Sequence, residues 1–335
     1  MRDISLVKIL PVEPRVPFVK LRFIAAVFST IAVIFSLYLF FDRGLNYGID
    51  FSGGVVTTVD FGEAPPADVQ AYVQDRFIGS QVQNISQPAG AAVTYDYLRI
   101  SSPLQEEETA SEDAEEARQA QTDAQQIAQR ALIVALEAEY DTVRIDATET
   151  VSGKVSGELR RKGLLAVVLA LGFVLAYIWF RFEWQFGAGA VVALLHDVIL
   201  TLGVFELFQI EFNLAIIAAI LTIVGYSLND TVIVYDRIRE NLRKFKKMPL
   251  IEVINVSIND TLSRTILTSV TTLLALTALF VLGGPGLKGF SFAMIWGVIV
   301  GTYSSIFVAS PMLLILNLKR GSRVDAPKDG AALKA

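Results

Sequence analysis

Cysteine is absent from the chain, so neither a disulfide framework nor a thiolate metal centre is available to it. Charge is scarce as well: Asp, Glu, Lys and Arg make up 19% of the 335 residues, against roughly a quarter in soluble domains. Histidine occurs once, at His196. A nucleotide-binding signature is also missing. In the run Gly283-Gly284-Pro285-Gly286-Leu287-Lys288-Gly289, Gly284 and Gly289 have the Walker spacing, but Phe290 stands where the phosphate-binding Lys is required. That excludes an ATPase of this type. No cofactor, metal or nucleic-acid partner is expected, and any work the protein does draws on energy from elsewhere.

In place of charge the chain has long apolar runs, with 53% hydrophobic residues and a mean hydropathy of +0.49. Crossing the hydrocarbon core takes about 20 apolar residues in a helix. Residues 23–41, 163–180, 265–282 and 289–318 contain no charge. Residues 184–205 contain only His196 and Asp197, and residues 212–235 only Asp230. Six transmembrane helices are therefore expected, at 23–41, 163–180, 184–205, 212–235, 263–282 and 289–318. The first lacks an A-x-A cleavage site and is too long for a signal-peptide core, so it reads as an uncleaved anchor.

Orientation follows the Lys and Arg beside the spans. The N-terminal stretch 1–22, the loop 236–262 and the tail 319–335 are basic, and an even number of helices puts all three on one side, expected to be the cytoplasm. Arg160, Arg161 and Lys162 dissent from the far side, but long loops cross largely regardless of charge. Residues 42–162 hold 21 acidic and 10 basic residues, net −11, whereas the remainder is net +6. An acidic exterior domain and a basic interior face fit a bacterial plasma (inner) membrane protein. The amphipathic run Ile251–Ile258 is expected to lie on the cytoplasmic surface.

Within 42–162, expected to be periplasmic, the periodicity switches repeatedly. Gly54–Phe61 reads as a strand and Pro65–Ile78 as a helix. Gln81–Ser86 and Ala92–Ser101 read as a strand pair, Gln105–Tyr140 as a helix and Thr142–Thr148 as a last strand. The order β-α-β-β-α-β is that of a ferredoxin-like α+β domain. Gln105–Glu116 carries seven acids and no base, read as a solvated helix start or, alternatively, a cation-binding stretch.

Ionisable groups inside the spans carry the strongest functional signal, because a charge at bilayer depth costs at least a few kcal/mol. Asp230 lies seven residues before Arg237, about 10 Å below the interface at 1.5 Å per residue. Tyr226 and Ser227 share its helical face. Arg264, opening the antiparallel fifth span from the same membrane side, is placed to reach toward Asp230 or to snorkel to the interface. For Asp230 the alternatives are a proton or ion role and a structural interhelical hydrogen bond. His196 and Asp197, mid-span but about 100° apart on the helix and so not bound to share a partner, read either as a relay or as structural hydrogen-bonding groups. Gly297, Gly301 and Ser305 form a small-residue packing stripe, and Pro311 is expected to kink the same helix.

Three stretches carry a family resemblance. Tyr47-Gly48-Ile49-Asp50-Phe51-Ser52-Gly53-Gly54 resembles the signature that opens the periplasmic domain of the SecF family. Gly225–Asn241, containing Tyr226-Ser227-Leu228-Asn229-Asp230, resembles that family's fourth-helix motif, and Ser263–Ser269 its fifth-helix motif. The resemblance covers nearly the whole chain. It implies a subunit that pairs with SecD, a related six-helix protein of the resistance-nodulation-division superfamily, and associates with the SecYEG translocon and YajC. It also implies use of the proton-motive force, or a sodium gradient, to help a translocating preprotein complete its crossing. Asp230 and Arg264, with Tyr226, Ser227 and Asn229, would be the coupling residues, and His196 and Asp197 a relay. Gly48, Asp50, Gly53 and Gly54 would form the periplasmic hinge motif, and helix shifts would pass to the exterior domain through residues 41–50, where Gly44 and Gly48 allow hinge-like backbone changes. The acidic stretch lies outside the family pattern. Two other readings stay open: a small-molecule or lipid exporter of the same superfamily, and a passive scaffold.

Overall fold

A computed structural model of the chain describes residues 16–61, 65–66, 68–77, 80–86, 96–103, 114–140, 143–151, 153–283, 285–316 and 318. Among the described residues, six helices are long and apolar enough to cross a membrane: Phe18–Asp42, Val155–Arg181, Trp184–Leu207, Leu214–Lys244, Leu250–Leu282 and Gly286–Ile315. The protein is a polytopic helical membrane protein with a small sheet-bearing unit after the first span. A helix satisfies its backbone groups within one segment and without water, which is why each apolar run takes this form.

Helix α1 (Arg22–Asp42) follows a short 3₁₀ turn, and α2 (Ile49–Ser52) is a single turn. Strand β1 (Gly54–Asp60), helix α3 (Val69–Arg76), strands β2 (Gln81–Ser86) and β3 (Asp96–Pro103), helix α4 (Ala114–Glu139) and strand β4 (Arg144–Val151) form the small unit. The sheet runs β2-β3-β1-β4, every pair antiparallel. Each βαβ pair is thus split by a strand from the other, the arrangement expected from the element order. Val59, Ile100, Val69, Val73, Leu132 and Leu136 close its core between sheet and helices. Helix α3 starts at Val69, later than the periodicity suggested; a turn in which Val69 N–H donates to Pro66 O (3.2 Å) leads the chain into it. The acidic stretch 105–116 lies mostly outside the described residues; its last three begin α4.

The spans continue as α5 (Gly153–Arg181), α6 (Trp184–Leu207), α7 (Leu214–Lys244), α8 (Leu250–Leu282), α9 (Pro285–Ser304) and α10 (Ser310–Ile315). Helix α8 is longer than the fifth span expected from hydropathy. Ile251–Ile258 forms its first two turns instead of a separate surface helix, and Val253, Ile254 and Ile258 are buried against the bundle. No Pro or Gly interrupts the run from Leu250 to Leu282, so nothing ends the helix at the interface.

The sixth span is broken where Pro311 predicted a kink. A π turn, Ser305–Ala309, joins α9 to α10. Pro311 has no N–H for the carbonyl four residues earlier, and widening the preceding turn absorbs the mismatch. Two side chains take up carbonyls there: Ser310 Oγ donates to Ser305 O (2.8 Å) and Tyr235 Oη to Ala309 O (2.9 Å).

Helices α6, α7 and α9 form the centre of the bundle, while α1 and α5 turn Phe23, Ile24, Phe173 and Phe180 outward. Close packing depends on glycine. A side chain at Gly297 would run into Ile223 and one at Gly301 into Ser227, both on α7. The small-residue stripe is therefore a seam within the chain.

Candidate functional site

The α7–α9 seam sets the register of the bundle's polar centre. Gly297 lies against Ile223 and Gly301 against Ser227, so the next turn of each parallel helix brings Ser305 level with Asp230. Ser305 Oγ donates to Asp230 Oδ2 (2.5 Å), and Thr265 Oγ1, from α8, donates to Asp230 Oδ1 (2.6 Å). Asp230 is 7% exposed. Both its oxygens are held by hydroxyls from two other helices, and by no ion pair among the described residues.

One turn earlier on α7, Ser227 donates to Asp197 Oδ2 (2.5 Å), which also accepts from Ser304 Oγ (2.8 Å). Asp197 Oδ1 meets His196 Nδ1 at 2.9 Å. The adjacent residues of α6 thus pair with one another, although their helical phases differ by about 100°. His196 lies at 27° to the Tyr303 ring, whose hydroxyl reaches Ser29 and the Ala25 carbonyl on α1. His196 Nε2 is buried with no hydrogen-bond partner among the described residues.

Two carboxyls, one imidazole and six hydroxyls (Ser227, Thr265, Ser304, Ser305, Tyr303 and Ser29) thus link α1, α6, α7, α8 and α9. Hydroxyls suit a group that gains and loses a proton. Each can donate to a carboxylate or, by rotating, accept from a carboxylic acid, so neither state is left unsatisfied. An Arg or a ring of amide N–H groups would favour only the ionised state. Among the described residues no group of three His, Cys, Asp or Glu side chains could hold a metal ion.

The other residues singled out in sequence lie apart. Arg264 is exposed on α8 and makes no ion pair with Asp230, although it is near enough to act on it electrostatically. Asn229 is exposed on α7. Tyr226 is half-buried and its hydroxyl reaches Ser269 Oγ (3.4 Å), which bonds Thr302 Oγ1 (2.7 Å). At the basic end of α7, Arg237 pairs with Asp260 (2.8 Å) and Glu240 (2.7 Å), and Asn241 also donates to Asp260 (2.9 Å). These contacts tie α7 to α8.

The glycine-rich segment after α1 behaves differently from a free hinge. Gly44 (φ 69°) has open space around it, whereas Gly48 has ordinary φ and no room: a Cβ there would meet the Glu211 side chain. Gly48 N donates to Phe212 O (3.0 Å), and Phe212 N donates to Asn46 O (2.7 Å). Gly53 (φ 70°) and Gly54 (φ 143°) make the turn into β1. Asp50 accepts from the backbone N–H of Leu214 (3.0 Å), the first residue of α7.

The profile described as "Protein export membrane protein SecD/SecF, C-terminal" matches residues 132–319, and that of the "SecD/SecF GG Motif" matches residues 38–64. The chain belongs to the SecD/SecF family. Among its relatives, "Protein translocase subunit SecF" of Cereibacter sphaeroides is 43% identical over 308 residues, covering 90% of each chain. "Protein translocase subunit SecDF" of Brucella abortus is 40% identical, covering 95% of this chain and 40% of the relative. The crystal structure of SecDF from Thermus thermophilus, "a translocon-associated membrane protein", superposes with a TM-score of 0.73 at 34% identity. That superposition covers 91% of this chain and 39% of the solved one, so the chain spans about two fifths of that structure. The segment with Gly48, Asp50, Gly53 and Gly54 falls inside the GG-motif match.

Sequence reasoning missed Thr265, Ser304 and Ser305. A signal for Ser305 existed: the Gly297-Gly301-Ser305 stripe has the spacing of Ile223, Ser227 and Asp230 or Thr231 on α7. Nothing in the sequence marks Ser304 as a partner of Asp197.

Proposed function

We propose that the chain is the SecF-type subunit of a protein translocase accessory complex. It pairs with a SecD-type six-helix partner and uses an ion gradient to promote Sec-dependent export across the bacterial inner membrane. Its relatives are translocase subunits, which supports export over a small-molecule or lipid exporter. The observation that carries the ion coupling is Asp230, buried between three helices with a hydroxyl on each oxygen.

In this reading Asp230 takes a proton from the outer side and releases it inward. Charge on Asp230 tightens the Thr265 and Ser305 contacts, and its neutralisation frees both hydroxyls to rotate, changing how α7 sits against α8 and α9. Arg264, exposed one position from Thr265, approaches Asp230 when the ionised form must be held and withdraws when the proton returns. Each charge crossing supplies about 2.3 kcal/mol per 100 mV, enough to bias an equilibrium of a few kcal/mol. The His196–Asp197 pair, joined to the same helices by Ser227 and Ser304, is the second protonatable station. Both termini face the cytoplasm and residues 42–162 the periplasm. SecYEG and the translocating preprotein are the partners on which the shifts act.

The test uses membrane vesicles carrying the complex with its SecD-type partner. Asp230→Asn is expected to insert and co-purify normally while the gradient-dependent part of preprotein export disappears. Export that still responds fully to the gradient removes the coupling role, and loss of SecD-type co-purification in the wild type removes the subunit assignment.

A further inference from the structure

Helix α7 ends, at its N-terminus, on a side chain that belongs to another part of the chain. The first N–H groups of a helix have no intrahelical partner, and the positive end of the helix dipole lies there. On α7 the Ile216 N–H is taken by Asn213 Oδ1 (3.2 Å), the ordinary local cap. The Leu214 N–H is taken instead by Asp50 Oδ2 (3.0 Å), from residues that lead into the exterior sheet.

The surrounding contacts make this attachment broad. Asn46 Nδ2 donates to Gln209 O (2.9 Å), and Tyr47 pairs with Phe212 as a parallel bridge. The Phe51 ring packs on Tyr47 and Phe212, and it is buried with Phe205, Ile216 and Ile220. Two residues later, Gly53 and Gly54 turn the chain into β1, the central strand pairing both β3 and β4. The segment is thus fixed to α7 at one end and to the middle of the sheet at the other.

We propose that Asp50 is the positioning residue that makes the exterior domain follow helix α7, so that the glycine-rich motif serves as a strut and the flexible point is Gly44. The proposal rests on the ion-coupled reading of Asp230. Sixteen residues separate Leu214 from Asp230 on an uninterrupted helix, about 24 Å. A shift or rotation of α7 at Asp230 therefore reaches Leu214 with little loss, and Asp50 carries it to β1. The connection from α1 has no such attachment at Gly44, which takes φ 69° with open space at its Cβ position, a conformation only glycine adopts without cost.

The natural absence of cysteine allows a direct test in the complex with its partner subunit. Spin labels at Gln74→Cys on α3 and Lys288→Cys on α9, both exposed, report the distance between exterior domain and bundle with and without a gradient. With Asp50 intact the distance is expected to change. Asp50→Ala is expected to lose that change and to cut gradient-driven export about fivefold or more. Asp50→Asn, which keeps an acceptor oxygen, is expected to stay within about twofold. In both variants the infrared carboxyl band that Asp230→Asn removes is expected to titrate as before, which shows that the bundle is folded and binds protons. An unchanged distance response in Asp50→Ala overturns the proposal and leaves the ion-coupled reading standing. No gradient response with Asp50 intact overturns both.

Discussion

Ser304 and Ser305 are neighbours in the chain, yet their hydroxyls bind different carboxyls: Ser304 donates to Asp197 and Ser305 to Asp230. They sit where α9 passes into the π turn. A change in the twist of that one turn therefore reaches both buried acids, which lie on separate helices.

Removing the Ser305 hydroxyl tests this linkage. Ser305→Ala is expected to lower the gradient-dependent export rate about fivefold, the equivalent of one hydrogen bond of roughly 1 kcal/mol. Asp230→Asn leaves no gradient-dependent export to lose, so the coupling is read on stability: Ser305→Ala is expected to lower Tm less in that background than in the wild type. Additive effects in this double-mutant comparison would separate Ser305 from the Asp230 function.

The α7–α9 seam gives a stability prediction with an internal control. Gly297→Val inserts side-chain atoms into Ile223 and is expected to destabilise the detergent-solubilised complex by about 1–3 kcal/mol, read as a lower Tm. Gly225, also on α7, has nothing within 4 Å of its Cβ position. Gly225→Ala is expected to leave Tm unchanged or raise it slightly. A Tm for Gly297→Val equal to that of Gly225→Ala would contradict the seam.

Glu206 is fully buried near the end of α6, and neither carboxyl oxygen has a hydrogen-bond partner among the described residues. A buried polar group in that state costs about 1–3 kcal/mol. Glu206→Leu is therefore expected to raise Tm without altering gradient-driven export. A fall in export at raised Tm would place Glu206 in the working part of the protein.

The small sheet-bearing unit carries its own pH dependence. Burial, reinforced by the negative charge of Asp68, pushes the Tyr140 hydroxyl up to about 12. An unfolded tyrosine titrates near 10. The raised group contributes stability that is fully present below about pH 10 and is lost as pH rises toward 12. Tyr140→Phe is expected to flatten that part of the domain's stability profile, measured by denaturant unfolding at pH 9 and pH 11. Equal slopes for both proteins would rule the tyrosine out.

The spans could be read from the sequence because hydropathy is local: each run of about 20 apolar residues has to become a helix wherever it lies. The small sheet-bearing unit was legible in outline for a similar reason, since strand and helix periods differ over a few residues. Helix ends were less so. Helix α8 begins at Leu250, far ahead of the charge-free run, because helix propagation needs no hydrophobicity once a partner surface covers Val253 and Ile254.

Sequence by itself determined that Asp230, Asp197 and His196 would be buried in membrane helices, since a charge within an apolar run has no other place to go. Only the tertiary structure decided what each of them touches. Thr265 and Ser305 meet Asp230, Arg264 stays outside, and Asp50 ends up on the first residue of α7, because partner choice depends on the rotation and register of whole helices. Those are set by contacts such as Gly297 against Ile223 and Gly301 against Ser227, which join residues more than 70 positions apart.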